Sequence, residues 1–154
     1  MARSLGPTAQ KRTNMRTLTF TLMLGLLLSA SKCNDKTAMA DLSTMADTQW
    51  VLQTLKGKAV EVPDGVTAPW MQVDVPQGKL SGFGGCNDMF GSVKAEASEM
   101  RINGLGSTKK MCEATSAQEN AFFDVLRNAN SYKLDGKKLE LLQDGKAMAT
   151  FLAK

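Results

Sequence analysis

Short apolar runs separated by turn residues fill the chain from Gln49 to its end. Gln49 to Leu55 sets Trp50 and Leu52, with Leu55, toward one side, which predicts a strand broken by Gly57. Lys58 to Val62 reads as a second short strand and Pro63-Asp64-Gly65 as a turn. Trp70 to Val75 is a third, with Trp70, Val73 and Val75 set against Met71, Gln72 and Asp74. Pro76-Gln77-Gly78 suits a hairpin turn into a return strand over Lys79 to Phe83. Phe90 to Ala95 and Glu99 to Ile102 follow as strands, the latter ending at Asn103-Gly104.

One segment changes period. Ser116-Ala117-Gln118-Glu119 has the form of a capping box, in which serine and glutamate each satisfy an exposed backbone donor. Phe122, Val125, Leu126 and Ala129 then recur at three- and four-residue spacing and make one apolar helix face, ended by Asn130-Ser131. The closing stretch is a meander. Tyr132 to Leu134, Leu139 to Leu142 and Ala147 to Leu152 are separated by Asp135-Gly136 and Asp144-Gly145, the strongest short-range hairpin signal. About seven to nine short strands and one helix predict a small α+β, β-rich domain: a curved, barrel-like antiparallel sheet packed on that helix.

The N-terminal third does not follow this pattern. Leu18 to Leu28 is an apolar run preceded by Arg16. At roughly 11 residues it is too short for a bilayer, which needs about 20. A positive residue, a short apolar core and small residues afterwards describe a secretory signal. The competing reading is a buried helix of the domain, which would stand far from the apolar pattern that begins at Trp50. Residues 1–32 are therefore read as a signal peptide, with Met15 as an alternative start and Met1 to Asn14 as an N-terminal extension. Residues 33–47 are small and polar and read as a flexible tether, and residues 48–154 as the domain.

Two processing sites compete. Ala30-Ser31-Lys32-Cys33 places a cysteine just after the apolar core, as in bacterial lipoproteins, where the thiol is acylated. Lys32 departs from the small residue expected before such a cysteine. The other site, Ala38-Met39-Ala40 before Asp41, would release a soluble protein.

Charge bears on the partner. The chain has a formal net charge of +4. Arg3, Lys11, Arg12, Arg16 and Lys32 all precede Cys33, and no acidic residue does. Removing these five from 19 Lys and Arg leaves 14 against 15 Asp and Glu. The domain is near neutral, which argues against a nucleic-acid partner. No histidine is present, which removes Ser-His and Cys-His catalysis and leaves two domain cysteines short of a zinc site. No cofactor or metal is expected.

Cys86 and Cys112 remain for the domain. An exported domain sits where disulfides persist, so a pair is expected, with two buried free thiols as the alternative. Cys86 lies in Ser81-Gly82-Phe83-Gly84-Gly85-Cys86-Asn87-Asp88-Met89-Phe90-Gly91, and Cys112 closes Ser107-Thr108-Lys109-Lys110-Met111-Cys112. Gly82-Phe83-Gly84-Gly85 is not a dinucleotide fingerprint, so a tight turn is expected there, with Asn87 bonded to nearby backbone.

Together with Trp50-Val51-Leu52, Glu119, Phe122, Leu126 and the hairpin from Leu139 to Phe151, these segments make the chain resemble the META domain, also called HslJ-like (DUF306). The resemblance runs from about Trp50 to Phe151. It implies a sheet curved over one helix, with Gly82, Gly85, Asn87 and Gly91 as structural motif residues. It also implies a bacterial envelope protein and supplies no catalytic residues.

Other chemistry is weak. Asp88, Glu96, Glu99 and Glu113 could offer a carboxylate pair, but nothing in their spacing joins two of them. Lys109-Lys110 reads as a wet surface pair, and Met71, Met89, Met100, Met111 and Met148 as adaptable core. The expected protein is a monomeric, non-enzymatic domain of structural, stress-related or interaction role. It would lie at the periplasmic face of a membrane, anchored through Cys33, or be soluble in the periplasm. Its partners would be the membrane, through the lipid, and envelope proteins. The alternative is a binding module taking a peptide or small ligand at an open sheet edge or in the sheet mouth.

Overall fold

Residues 43–154 are described by the computed structural model. The apolar run at Leu18 to Leu28, Cys33 and the cut before Asp41 lie outside the described residues. Nine strands run in chain order: β1 (Trp50–Leu55), β2 (Lys58–Ala59), β3 (Trp70–Asp74), β4 (Lys79–Phe83), β5 (Asp88–Glu96), β6 (Glu99–Ser107), β7 (Ser131–Asp135), β8 (Lys138–Gln143) and β9 (Lys146–Ala153). Helix α1 (Ser116–Asn128) sits between β6 and β7. The sheet order is β2-β1-β3-β4-β5-β6-β7-β8-β9, all antiparallel, and β1 also pairs with β9, which closes β1 and β3 to β9 into a ring with the short β2 at its edge. Closure removes most of the unpaired edges that sheets otherwise expose.

The ring buries one face of each strand. Trp50, Met71, Met100, Phe122, Leu139 and Phe151 are wholly buried in one cluster. Helix α1 closes it with Phe122, Val125, Leu126 and Ala129, as its period predicts, and adds Phe123. The Phe122 and Phe151 rings lie 6.0 Å apart, so helix and sheet meet through aromatic contact. On the helix exterior, Lys56 bonds Asp124 at 2.8 Å and holds that carboxyl below its usual range.

Strand-level expectations hold with three corrections, and the inward Leu52 and Leu55 of β1 have a local cause. In β3, Met71 and Val73 face inward and Trp70 is half-buried on the outer face, opposite Phe83. Strand period is two, so Trp70 and Val73 cannot share a face. β1 keeps both Leu52 and Leu55 inside because a register shift between Leu52 and Thr54 inserts one residue. β2 stops at Ala59: Val60 N–H still reaches the Gln53 carbonyl at 2.9 Å, but the backbone groups of Glu61 turn to the Gln118 amide. Gln118 accepts from Glu61 N–H at 3.0 Å and donates to its carbonyl at 2.9 Å.

The third correction is the largest. β6 does not end at Asn103-Gly104 but runs to Ser107. Pairing shifts from Ser92 with Asn103 to Phe90 with Gly106, so β6 carries one extra residue. Gly104 absorbs it at φ +60°. What reads locally as a turn is a bulge within a long strand. The polar stretch before β1 is also not all tether. Met45 is wholly buried, its carbonyl accepts the Trp50 indole N–H at 3.1 Å, and Ala46 bridges Val73.

Candidate functional site

The glycine-rich bend between β4 and β5, the loop from Thr108 to Thr115 and the first turn of α1 converge on one buried polar cluster. Its centre is Glu119, 5 % exposed. Glu119 lies three and four residues ahead of Phe122 and Phe123, so it shares the buried helix face. Its Oε1 accepts from the Cys86 N–H at 3.1 Å and the Asn87 N–H at 2.6 Å. Its Oε2 accepts from Asn87 Nδ2 at 2.7 Å.

The capping box therefore does not form. The N-cap position is Thr115, whose side chain makes no capping bond. Ser116 Oγ reaches only the Glu113 carbonyl, at 3.5 Å. The carboxylate has gone to the bend, where two backbone donors would otherwise be buried without partners. Such donors are costly, and they take the carboxylate even though the buried Thr115 hydroxyl at the N-cap is left without a hydrogen bond.

Asn87 completes the cluster. Besides Glu119, its Nδ2 donates to the Lys110 carbonyl at 3.2 Å. Its Oδ1 accepts from Lys110 N–H at 2.7 Å and from Thr108 Oγ1 at 2.8 Å. An amide has two donors and two acceptor lone pairs, and all four are used. Asn87 thus ties the far loop to the bend as a strand would, through one side chain. Cys86 and Cys112 lie on either side of this tie, with sulfurs 1.99 Å apart and Cα atoms 5.9 Å apart. Asn87 was expected to bond nearby backbone, but its partners are more than twenty residues away.

The motif glycines are small for stated reasons. A Cβ on Gly82 would stand 2.3 Å from the Trp70 carbonyl oxygen and 2.4 Å from Met89 Cε. Gly82→Ala is therefore expected to destabilise the fold by about 1–3 kcal/mol, read as a lower denaturant midpoint with unchanged slope. A Cβ on Gly84 would lie 2.5 Å from Glu119 Oε1, in the space the carboxylate needs. Gly85 takes φ +113°, open to glycine alone. Gly91 backs the β6 bulge, where a Cβ would meet the Asn103 carbonyl at 3.2 Å.

Beside the cluster runs a groove of about 720 Å3 between the Thr108–Glu113 loop and α1, lined by Met111, Asn120, Phe123 and Arg127 among others. Met111 was expected in the core and is instead 99 % exposed. Lys109 and Lys110 are exposed, and Lys110 Nζ stands 3.8 Å from Asp88 in an open pair. Of the four weighed carboxylates, Glu96 and Glu99 face each other across the β5–β6 hairpin, both exposed. Asp88 and Glu113 do not join them. Among the described residues, no three His, Cys, Asp or Glu gather as a ligand set.

Glu119 is the residue that sequence reasoning misplaced. The signal was available: positions 119, 122 and 126 lie on one stripe, so the glutamate points into the core.

Comparisons with known proteins bear on the fold and the family. The chain is similar to an NMR structure of a protein from Burkholderia xenovorans, at 24 % identity and a TM-score of 0.58, covering 75 % of this chain and 87 % of that one. A second protein solved by NMR is 21 % identical with a TM-score of 0.57, covering 71 % and 92 %. A crystal structure of a DUF4847 family protein from Bacteroides vulgatus is 19 % identical with a TM-score of 0.49, covering 71 % and 94 %. These likenesses concern the fold. No curated protein matches the chain. The META domain model matches residues 40–154, and the chain belongs to the META domain family.

Proposed function

We propose that the protein is a non-enzymatic META domain of the cell envelope, exported and held to a membrane through a lipid on Cys33, with a structural or interaction role. The observation that carries this reading is the saturated cluster at the family motif. Every polar atom that Asn87 offers, and both oxygens of Glu119, are engaged with backbone or with one another and Thr108. Asn87 so engaged has no lone pair or proton left for a substrate, and Glu119 keeps no more than one acceptor site, on a buried oxygen, so the two build a scaffold. Cysteines at bonding distance suit an oxidising compartment, in keeping with the leader.

Mass spectrometry of the protein recovered from cells tests the reading. A diacylglyceryl adduct on Cys33, with a gain of two hydrogen masses on reduction, is expected. Cleavage before Asp41 without lipid would overturn the anchor and leave a soluble periplasmic domain. The second reading, a binding module, is favoured by the groove between the Thr108–Glu113 loop and α1, where Met111 is wholly exposed.

A further inference from the structure

A different groove, of about 670 Å3, crosses the outer face of β3, β4, β5 and β6. Its floor follows from register. Gln72, Ser81 and Phe90 are successive cross-strand neighbours, and Gly106 stands beside Phe90 on β6. Phe90 is 59 % exposed, yet its ring is seated: it lies so close over Gly106 that an added Cβ there would meet it at 2.7 Å. The extra residue in β6 and the missing side chain at Gly106 together give this ring its platform.

The next row along the sheet is polar. Asp74 and Lys79 are both engaged with Gln77 of the adjoining turn, at 2.9 and 2.8 Å. The side chains of Gln72, Ser81 and Asn103 make no hydrogen bond among the described residues, and all three line the groove. Asp47 closes the rim, so Asp47 and Asp74 stand against Lys79 and the groove carries charges of both signs.

An exposed ring among amides and hydroxyls, without a dominant charge, selects a ligand class. An ionic ligand would find no field of one sign. A purely apolar ligand would strip water from amides and return nothing. A neutral sugar meets both demands: its C–H face covers the ring while its hydroxyls exchange hydrogen bonds with the amides. The volume lies within the roughly 300–1,000 Å3 of small-ligand sites. We infer that this face binds a neutral pyranose oligosaccharide, with Phe90 as the stacking platform and Gln72, Ser81 and Asn103 as polar contacts. The inference does not depend on the anchor, since a soluble form would present the same face.

Titration of the full-length, nitrogen-15-labelled chain with cellohexaose and with chitohexaose tests it by amide shift mapping. Saturable shifts at Ser81, Gly91, Gly104 and Gly106 are expected with at least one sugar. Phe90→Ala is expected to weaken that binding about tenfold or more, and Phe90→Tyr to preserve it. Should Phe90→Ala fail to fold, Gln72→Ala carries the same test. Absence of saturation with both sugars, shifts confined to other surfaces, or unchanged affinity in the tested alanine variant would overturn the site. Saturation by a proline-rich peptide and by neither sugar would overturn it in favour of a peptide groove.

Discussion

Replacing Glu119 with alanine lowers the stability of this domain by about 3–5 kcal/mol, a large part of the roughly 5–15 kcal/mol of an ordinary domain. Three buried donors lose their acceptor at once: the N–H groups of Cys86 and Asn87, and Asn87 Nδ2. Glu119→Gln keeps size and shape and isolates the chemistry. Oε1 serves two N–H groups, so the new amide nitrogen must take the Oε2 position, against Asn87 Nδ2. Two donors then face each other. Rotating Asn87 to relieve this would break its bonds from Thr108 Oγ1 and Lys110 N–H. The amide variant is expected to lose about 2 kcal/mol. Urea unfolding followed by tryptophan fluorescence reads both values, since Trp50 is wholly buried. A glutamine variant as stable as the parent would show that the carboxylate does not hold the bend.

Opening the Cys86–Cys112 link lowers stability by about 3.5 kcal/mol on the loop-entropy model. The two residues are 26 apart in sequence, and the link removes the freedom of that segment from the unfolded chain. The comparison is between the oxidised protein and Cys86→Ser with Cys112→Ser, by denaturant midpoint. The double variant should keep the fold, because Asn87 still ties Lys110 to the bend through its own two bonds. Link and amide constrain the same pair of segments, so their effects are not independent. Once the link is gone, Asn87→Ala should cost more than it does in the oxidised protein. Strictly additive losses would mean that the two ties act on separate parts of the structure.

The cluster explains why the family motif has its residue types. A glycine-rich bend is cheap to distort but leaves backbone donors without a ladder. The helix supplies a carboxylate to collect them, and Gly84 leaves it room. Asn87 then passes the constraint to the Thr108–Cys112 loop. That loop carries Met111 outward, so rigidity at the motif holds an exposed apolar side chain in place.

Much of the fold was legible because local rules decide it. The Asp-Gly pairs at 135–136 and 144–145 set the closing meander, and the period of Phe122, Val125 and Leu126 set the helix face. These depend on turn chemistry and on burial of one face, both written in neighbouring residues. Other features depended on residues far away. Gly104 is a turn signal on its own, but β5 supplies a partner that makes it a bulge. Lys58 to Val62 has the pattern of a strand, but Gln118, 57 residues from Glu61, claims the backbone groups of Glu61. Glu119 has the spacing of a cap, but the bend needs its oxygens more.

The sequence alone determined a near-neutral, sheet-rich domain with the helix at 116–128, and it marked the glycines, Asn87 and the two cysteines. Tertiary structure alone decided that the strands close into a ring, that Glu119 faces inward to serve the bend, and that Phe90 stands exposed on a polar sheet face. The reason lies in the range of the interactions. Period and turn preference act over a few residues, whereas a buried donor takes whichever acceptor the folded chain brings within reach.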